Sequence, residues 1–344
     1  MKVVITGGAG FFGFHLARAL AGDELVLYDL AAIPDSELPP DSSAVERVQA
    51  DVRDRGALRT ALADAELVVH AAAALPLWKA DEIRSVNLEG TRSVLEVAAE
   101  CKVPRVVHIS STAVYGIPDH HPLFEDDDLH GVGPYGESKV AAEQLCASAR
   151  DNGMGVTVLR PKTFIGPERL GVFQILFDWV REGRRIPVIG SGRNRYQLLD
   201  VADVTTAVKL VASAPGDDCN RAFNLGASEF ESVASDLEAL FAHAKSPSRI
   251  LTTPAMLAKG TLAALEFVNL SPLYKWVWGT ADQNSWVDCS AIHKLGWQPQ
   301  YSNAQTLIRT YDWYLANFES MAAAGIGHRV PWSEGALALL RRFM

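Results

Sequence analysis

The feature that most constrains the fold is a glycine-rich turn between an apolar segment and a helical pattern near the start of the chain. The apolar segment at 3–5 is typical of a buried strand, and the turn that follows reads TGGAGFFG over residues 6–13. Its glycines match G-x-G-x-x-G from Gly8 and the wider G-x-x-G-x-x-G from Gly7. Glycine permits the backbone angles of such a turn and lets a pyrophosphate approach the N–H groups at the helix N-terminus. The turn therefore predicts a dinucleotide-binding unit, with an ordinary glycine-rich turn as the alternative.

The second predicted strand ends in an acidic residue, Asp29. An acid at this separation from the glycines accepts hydrogen bonds from an adenosine ribose and repels a 2′-phosphate. Because residues 30–33 supply no cation, we expect NAD rather than NADP, with a plain strand-end cap as the other interpretation of Asp29. The turn residues expected to contact the cofactor are Gly7, Gly10, Phe11, Phe12 and Gly13.

Apolar runs alternate with helix-length segments over the first half of the chain. The runs lie at 3–5, 25–28, 67–70, 106–109 and 156–159, with shorter candidates at 186–189 and 222–225. This alternation predicts an α/β fold with a doubly wound parallel Rossmann sheet, because strands covered by helices on both faces are uniformly apolar. At 344 residues the chain exceeds a typical domain. We expect an NAD-binding Rossmann domain over 1–166 and a smaller, mainly substrate-binding lobe over 167–344 that can return one strand to the sheet.

Composition excludes several classes of partner. The formal net charge of −9 and the absence of a long Lys/Arg run oppose nucleic-acid binding. The most apolar late stretch, 253–278, is interrupted by charged residues and proline, so no membrane span is expected. The sequence opens directly on a strand, without the pattern of a secretory leader, and its four cysteines show no metal or disulfide spacing. These features favour a cytoplasmic protein.

Two segments carry candidate chemistry. Tyr135 and Lys139 lie four residues apart at the start of a predicted helix, so their side chains can share one pocket. A free phenol is a poor base at neutral pH, and a neighbouring ammonium favours its phenolate form. Upstream, Ser110 and Ser111 follow a predicted strand at its carboxyl end, the edge where open α/β sheets bind ligands.

The glycine turn, the segment S-x-x-x-Y-G from Ser111 and the motif Y-x-x-x-K from Tyr135 occur together. With them the chain, to about Asn317, resembles the extended short-chain dehydrogenase/reductase family, in its nucleotide-sugar epimerase and dehydratase group. The resemblance implies that Tyr135 is the acid/base, that Lys139 lowers the pKa of Tyr135 and holds the nicotinamide ribose, and that Ser111 orients the substrate oxygen.

The resemblance also implies further cofactor contacts, and a homodimer formed by the helix after Asn87 and the helix that bears Tyr135. Two of the contacts have plain structural alternatives, since Asp51 can cap a helix and Asn87 can satisfy a buried backbone group. The implied cofactor contacts are Asp51, Val52, Ala71, Ala72, Ala73, Asn87 and Ser110.

The reaction is narrowed by the residues after Ser111. Family dehydratases, and the related decarboxylase, carry an acid there, whereas this chain has Thr112 and Ala113. Two enzymatic interpretations remain: an epimerase of a nucleotide sugar, which oxidises a secondary alcohol and returns the hydride, and a one-way dehydrogenase or reductase resembling the 3β-hydroxysteroid dehydrogenase branch. A non-catalytic NAD sensor is a third hypothesis, which the intact Ser111, Tyr135 and Lys139 disfavour.

The second half of the chain offers weaker substrate candidates. The stretch RPKTFIGP at 160–167 is similar to an epimerase segment, which implies that Thr163 contacts a sugar or a carboxylate, but Pro161 resembles the reductase branch. Arg193, with Arg195 as the second candidate, lies in a stretch similar to the one whose arginine binds a nucleotide diphosphate, a task that suits the planar guanidinium. Thr112 is a further substrate candidate. The polar loop with His120-His121 and 126–128 is interpreted as solvated or as covering the substrate, so no metal site is expected.

Overall fold

The computed structural model describes residues 1–35, 38, 45–76, 78–168, 170–267 and 275–324. The end of the predicted substrate lobe, 325–344, lies outside the described residues. The strands, numbered in chain order, are β1 Lys2–Thr6, β2 Glu24–Asp29, β3 Val45–Gln49, β4 Leu67–His70, β5 Arg105–Ile109, β6 Val156–Pro161, β7 Phe164–Ile165, β8 Arg185–Ile189, β9 Leu199–Asp200, β10 Ala222–Leu225 and β11 Arg249–Thr253. The helices are α1 Phe11–Ala19, α2 Arg55–Ala61, α3 Ala80–Arg84, α4 Gly90–Glu100, α5 Gly133–Asp151, α6 Phe173–Arg181, α7 Val201–Ser213, α8 Gly216–Cys219, α9 Val233–Ala244, α10 Ala255–Phe267, α11 Lys275–Thr280, α12 Ser290–Lys294 and α13 Asn303–Ala324.

Seven strands form one parallel sheet in the order β10-β6-β5-β4-β1-β2-β3. From β1 the chain adds β2 and β3 toward one edge of the sheet. It then returns to the other side of β1 and adds β4, β5, β6 and β10 toward the opposite edge. The order reverses between β1 and β4, the place where doubly wound sheets bind their ligands. The predicted fold class, a doubly wound Rossmann sheet, is confirmed.

The central strands are apolar because both of their faces are covered. Val3, Val4 and Ile5 of β1 are fully buried, and β4 and β5 are buried on nearly every residue. On one face Val4, Val68 and Val106 pack under α2, α4 and α5 as a single hydrophobic cluster. Burial on two faces explains why these runs lack the polar alternation of a half-exposed strand.

Strand β3 was not predicted from the sequence. Its sequence VERVQ is mostly polar and its residues are largely exposed, because β3 is the outer strand of the sheet. Only backbone pairing with β2 defines it, from Leu25 opposite Val45 to Asp29 opposite Gln49. An edge strand has one neighbour and little core to face, so hydrophobic periodicity does not reveal it.

The chain divides into two compact units, each with most of its contacts inside itself. The first contains Met1–Lys162, Val201–Leu225 and Val287–Gln298, and thus the whole seven-stranded sheet. The second contains Thr163–Asp200, Gly226–Trp286 and, of the C-terminal residues that the structure describes, 299–324. Its core packs Phe177 and Trp179 of α6 with Leu240 of α9 and with Tyr311 and Tyr314 of α13. Among the helices of the described residues, none is long and apolar enough to cross a membrane.

Candidate active site

The glycine turn after β1 has no room for a side chain at Gly7 or Gly13. Gly7 has a φ of +76°, and a Cβ atom there would lie 2.7 Å from the backbone nitrogen of Ala72. A Cβ atom at Gly13 would lie 2.2 Å from the carbonyl oxygen of Gly7. Gly10 is the exposed N-cap of α1 and makes no side-chain cap, so the end of the helix is bare where a pyrophosphate would sit. This cradle fits a dinucleotide.

Asp29 lies at the carboxyl end of β2, beside this turn. Its carboxylate accepts hydrogen bonds from the backbone N–H of Ala9 at 2.9 Å and of Ala31 at 2.8 Å. The first bond ties the glycine turn to β2, and the carboxylate remains half-exposed. Asp29 therefore fixes the turn and presents a negative charge where an adenosine ribose would approach.

The predicted cofactor contacts Asp51 and Val52 follow β3. The carboxylate of Asp51 pairs with the guanidinium of Arg53 at 2.5 Å, and this hydrogen-bonded cation lowers the pKa of Asp51. The side chain of Val52 is buried, and a Cβ atom on Gly90 would lie 2.6 Å from it. Tyr28 donates its hydroxyl to the carbonyl of Asp51 at 2.7 Å, which holds the segment against β2.

The segment after β4 contains the predicted cofactor contacts Ala71, Ala72 and Ala73. The preceding residue, His70, is held by two buried threonine side chains. The ring of His70 lies between the hydroxyls of Thr6, at 2.8 Å, and Thr91, at 3.0 Å. Burial lowers the pKa of His70 to about 3, so the ring is neutral at physiological pH. The alanines carry no polar side chain, and Ala71 and Ala72 are half-buried beside the glycine turn.

Asn87 is buried in a single π-helical turn, Ser85–Glu89, and connects two parts of the site. Its amide accepts from the N–H of Ala74 at 2.7 Å and donates to the carbonyl of Ala74 at 3.3 Å. It also donates to the hydroxyl of Ser138 on α5 at 3.0 Å. Asn87 thus satisfies a buried backbone pair, and it links the cofactor segment to the helix that bears Tyr135 and Lys139.

Helix α5 places the two predicted catalytic side chains on one face. The ammonium of Lys139 lies 6.0 Å from the centre of the Tyr135 ring and donates to the carbonyl of Ile109 at 2.9 Å. Lys139 is only 4% exposed, and this burial lowers its pKa to about 8, although the nearby carboxylate of Glu143 acts to raise it. An ammonium with this pKa is mainly charged at neutral pH and can stabilise a phenolate.

Ser111 lies immediately beyond β5 and caps a 3₁₀ turn, Thr112–Tyr115, by accepting from the N–H of Ala113 at 3.1 Å. The start of α5 packs closely on this turn, since a Cβ atom on Gly136 would lie 3.1 Å from the carbonyl of Ala113. This contact brings the half-exposed Ser111 and Tyr135 to the same edge of the sheet. The hydroxyl of Ser110 points instead into the protein, toward Glu143 at 2.5 Å.

Under this site lies a buried polar network that the sequence analysis did not identify. Glu143 pairs with Arg160, which donates to the hydroxyl of Tyr115 at 2.8 Å. Tyr115 in turn donates to Asn224 at 2.7 Å. Burial raises the pKa of Tyr115 to about 12, so Tyr115 stays a neutral phenol at physiological pH. Arg160 was identifiable only as a lone cation within an apolar strand.

The substrate candidates Thr163 and Arg193 belong to the second unit. The hydroxyl of Thr163 lies 3.0 Å from that of Tyr196. Arg193 is exposed, and its backbone N–H donates to Ser191. Arg195 is better held, because its guanidinium lies 4.4 Å from the ring centre of Phe230 and also donates to the carbonyl of that residue. A guanidinium held on aromatic rings keeps its outer N–H groups for an anion.

The polar loop around His120 contains ion pairs. His120 lies 2.9 Å from Asp119 and 3.0 Å from Asp127, and the hydrogen bond with Asp119 raises its pKa. Within the described ranges no group of three or more His, Cys, Asp or Glu side chains could hold a metal ion. Thr112 is buried in the 3₁₀ turn.

The sequence profile of the NAD dependent epimerase/dehydratase family matches residues 3–226. Uncharacterized protein y4nG of Sinorhizobium fredii is 35% identical, over 98% of this chain and 85% of that protein. A dTDP-glucose 4,6-dehydratase of Streptomyces antibioticus is 28% identical, over 92% of this chain and 93% of that protein. The fold is similar to UDP-glucose 4-epimerase of Thermotoga maritima, with a TM-score of 0.76 and 22% identity, over 92% of this chain and 100% of that one.

Proposed function

The chain belongs to the NAD dependent epimerase/dehydratase family of extended short-chain dehydrogenases/reductases, and from this premise we propose that it is an epimerase of a nucleotide sugar. The observation that carries the proposal is the set formed by Ser111, Tyr135 and a buried Lys139, with the non-acidic Ala113 two residues beyond Ser111. The first three are suited to proton and hydride transfer at a secondary alcohol. Ala113 offers no group for an elimination.

NAD is the cofactor of this family, and when bound it accepts a hydride from the substrate carbon and returns it. In this proposal the N-terminus of α1 and the turn of Gly7, Gly10 and Gly13, flanked by Phe11 and Phe12, would hold the pyrophosphate. Asp29 would bind the adenosine ribose, and the segment 71–73 would line the cofactor. Asp51 and Val52 would hold the adenine, while Asn87 and Ser110 hold the surrounding segments.

The chain supplies the proton transfer. Tyr135, as phenolate, would remove the proton of the substrate hydroxyl and later return it to the same oxygen. Lys139 would stabilise the phenolate by its charge and would donate hydrogen bonds to the nicotinamide ribose of a bound cofactor. Ser111 donates to the substrate oxygen and keeps it in line with Tyr135. Epimerisation requires, in addition, that the keto intermediate turns over before the hydride returns.

The residues after Ser111 disfavour dehydration. Thr112 is buried in the 3₁₀ turn, and the side chain of Ala113 cannot exchange a proton. A dehydratase must protonate a leaving hydroxyl and remove a carbon-bound proton, for which acidic groups near the substrate are required. The second candidate is a one-way dehydrogenase or reductase, which uses the same Ser111, Tyr135 and Lys139. It is favoured by Pro161 at the end of β6, which resembles the reductase branch.

A nucleotide sugar is proposed as substrate because of the second unit. Thr163 and Tyr196 present a hydrogen-bonded pair of hydroxyls that suits a sugar. Arg193 is exposed, and Arg195 is held on the rings of Phe230 and Trp286. Both arginines suit a diphosphate, since a guanidinium pairs bidentately with phosphate oxygens. Of the two, Arg195 has the more defined orientation.

The experiment that tests this function is to denature the purified protein and quantify the nicotinamide nucleotide that is released. An epimerase returns its hydride in every turnover and has no need to exchange the cofactor. Near-stoichiometric NAD or NADH is therefore expected, and incubation with UDP- or dTDP-sugars should interconvert epimers without net change in absorbance at the NADH band. Reversible NAD binding with net NADH turnover would instead establish the dehydrogenase or reductase.

A homodimer and a cytoplasmic location are part of the proposal. The homodimer would use α4 and the exposed side of α5, and sedimentation at micromolar concentration would detect it. A reducing compartment is consistent with the four cysteines, all of which are free thiols in the described residues. Fractionation of cells that express the chain tests the location.

A further inference from the structure

The carboxylate of Glu143 is held rigidly under the catalytic helix. Glu143 and Arg160 are each 6% exposed at the side chain. The Nε atom of Arg160 lies 3.1 Å from both carboxylate oxygens of Glu143, and Nη2 lies 2.7 Å from one of them. The hydroxyl of Ser110 donates to the other oxygen at 2.5 Å. A buried carboxylate with this number of donors keeps a single orientation.

This carboxylate lies one helical turn beyond Lys139, on the face of α5 that also bears Tyr135. The spacing of four residues places the side chains of Lys139 and Glu143 next to each other. The other titratable groups that face Lys139 are Tyr135 and Cys146 on α5, His70 on β4 and His108 on β5. Burial keeps both histidines neutral and raises the pKa of the Cys146 thiol to about 12. Within the described part of the chain, Glu143 is thus the anion that faces Lys139 in the absence of substrate.

A buried ammonium needs such an anion. Removing a lysine from water favours its neutral form, and a neutral amine cannot stabilise a phenolate. Arg160 is itself held in place, because its Nη1 donates to Tyr115 at 2.8 Å and to the carbonyl of Glu125 at 2.9 Å. The carboxylate is therefore fixed between a structural cation and a catalytic one.

We propose that Glu143 is a positioning residue of the reaction, which keeps Lys139 in its ammonium form next to Tyr135 through a carboxylate clamped by Arg160 and Ser110. The inference rests on the proposed roles of Tyr135 and Lys139. The proposal adds Glu143, one helical turn beyond Lys139 on α5, to the catalytic set of Tyr135 and Lys139. The residues that hold Glu143 are Ser110, just after β5, and Arg160 of β6.

The test is a spectroscopic titration of the Tyr135 phenolate in the NAD-loaded protein, which needs no knowledge of the substrate. The absorbance of phenolate near the ultraviolet edge is followed against pH, and the Tyr135→Phe protein is subtracted to isolate one tyrosine. In Glu143→Gln the midpoint should move to higher pH by about 1 to 3 pH units, the size expected when a nearby cation is lost. Glu143→Asp should restore most of the wild-type midpoint.

Glu137→Gln is the matched control. Glu137 lies on the same helix, is exposed and pairs with Arg84 at the surface, so solvent screens its charge and the midpoint should not move. Because Glu143→Gln leaves the cation of Arg160 buried and unpaired, the double variant Glu143→Gln/Arg160→Gln is titrated as well. It removes both charges and should show the same upward shift.

An unchanged Tyr135 midpoint in both Glu143→Gln and the double variant Glu143→Gln/Arg160→Gln would overturn the proposal. A shift in Glu137→Gln as large as the one in Glu143→Gln would overturn it as well. The proposed function is judged separately, by cofactor release and by loss of turnover in Tyr135→Phe. A sensor protein would show the Glu143-dependent titration with no turnover. An enzyme in which Glu143 has a merely structural role would turn over, and its Tyr135 midpoint would not depend on Glu143.

Discussion

His108 is a buried side chain whose removal is expected to stabilise the protein. It is 1% exposed on β5, and neither of its ring nitrogens has a hydrogen-bond partner among the described residues. Its neighbour on β4, His70, lies 5.2 Å away between ring centres and is bonded on both nitrogens, to Thr6 and Thr91. The two histidines therefore occupy similar places in the sheet with opposite energetic consequences.

The magnitude for His108→Leu follows from two effects. A buried polar group without a partner costs about 1–3 kcal/mol, so an apolar side chain of similar volume should raise the free energy of unfolding by about 1–2 kcal/mol at pH 7.5. The second effect depends on pH. Burial, aided by the charge of Lys139, lowers the pKa of His108 well below 6.5 in the folded protein. Below pH 6.5 the unfolded chain thus binds a proton that the folded chain does not, and stability is lost as the pH falls.

A pH of 5 is about 1.5 units below the ordinary pKa of a histidine in the unfolded chain. Protonation of the unfolded chain at this pH therefore costs about 2 kcal/mol of stability for each histidine that stays neutral in the folded protein. His108→Leu removes this loss for one of the two rings. The stability difference between variant and wild type should therefore grow from about 1–2 kcal/mol at pH 7.5 to about 3–4 kcal/mol at pH 5. His70, whose folded pKa is about 3, continues to destabilise both proteins at pH 5.

The assay is urea unfolding at the two pH values, followed by circular dichroism at a fixed NAD concentration. His70→Leu is the matched control, and it should be less stable than wild type at pH 7.5 because it leaves two buried threonine hydroxyls without their imidazole partner. A His108→Leu protein less stable than wild type at both pH values would refute the reasoning. A stability difference that stays constant with pH would refute the part that concerns protonation.

Three further substitutions test the cofactor site. Gly13→Ala should lower NAD affinity more than about 100-fold in a calorimetric titration, because its Cβ would lie 2.2 Å from the carbonyl of Gly7, whereas Gly22→Ala, with nothing described within 4 Å, should bind as wild type does. Asp29→Ala should bind NAD about 10-fold more weakly and discriminate less against NADP, and equal affinities of variant and wild type for both cofactors would contradict its role. Asn87→Ala should lower the free energy of unfolding by about 2–3 kcal/mol, measured in urea, since it leaves the backbone of residue 74 unpaired in the core.

Part of the site could be predicted because it is encoded locally. The turn at 6–13 must be glycine-rich wherever backbone approaches backbone, as the contact of Gly7 with Ala72 demonstrates. Tyr135 and Lys139 share a helix face because they are four residues apart. Such features depend on residues that are close in the sequence, so they can be predicted from the sequence directly.

Other parts depend on residues that are distant in the sequence. The clamp on Glu143 joins α5 to β6 and to the end of β5, and no spacing rule connects these segments. His108 and His70 read as ordinary members of apolar strands, and only the packing gives one of them two partners and leaves the other with none in the described chain. The polar edge strand β3 is likewise defined by its pairing with β2 and not by its own composition.

The sequence by itself determined the Rossmann fold, the glycine-rich turn after β1 and the shared helix face of Tyr135 and Lys139, because each follows from a short-range pattern of glycine, hydrophobicity or helical spacing. The tertiary structure decided which strands are neighbours and how 201–225 and 287–298 group with the first 162 residues. It also decided which buried charges compensate each other. The physical reason is that burial and electrostatic interaction depend on distance in space, and Arg160 of β6 reaches Glu143 of α5 only after these two elements have packed.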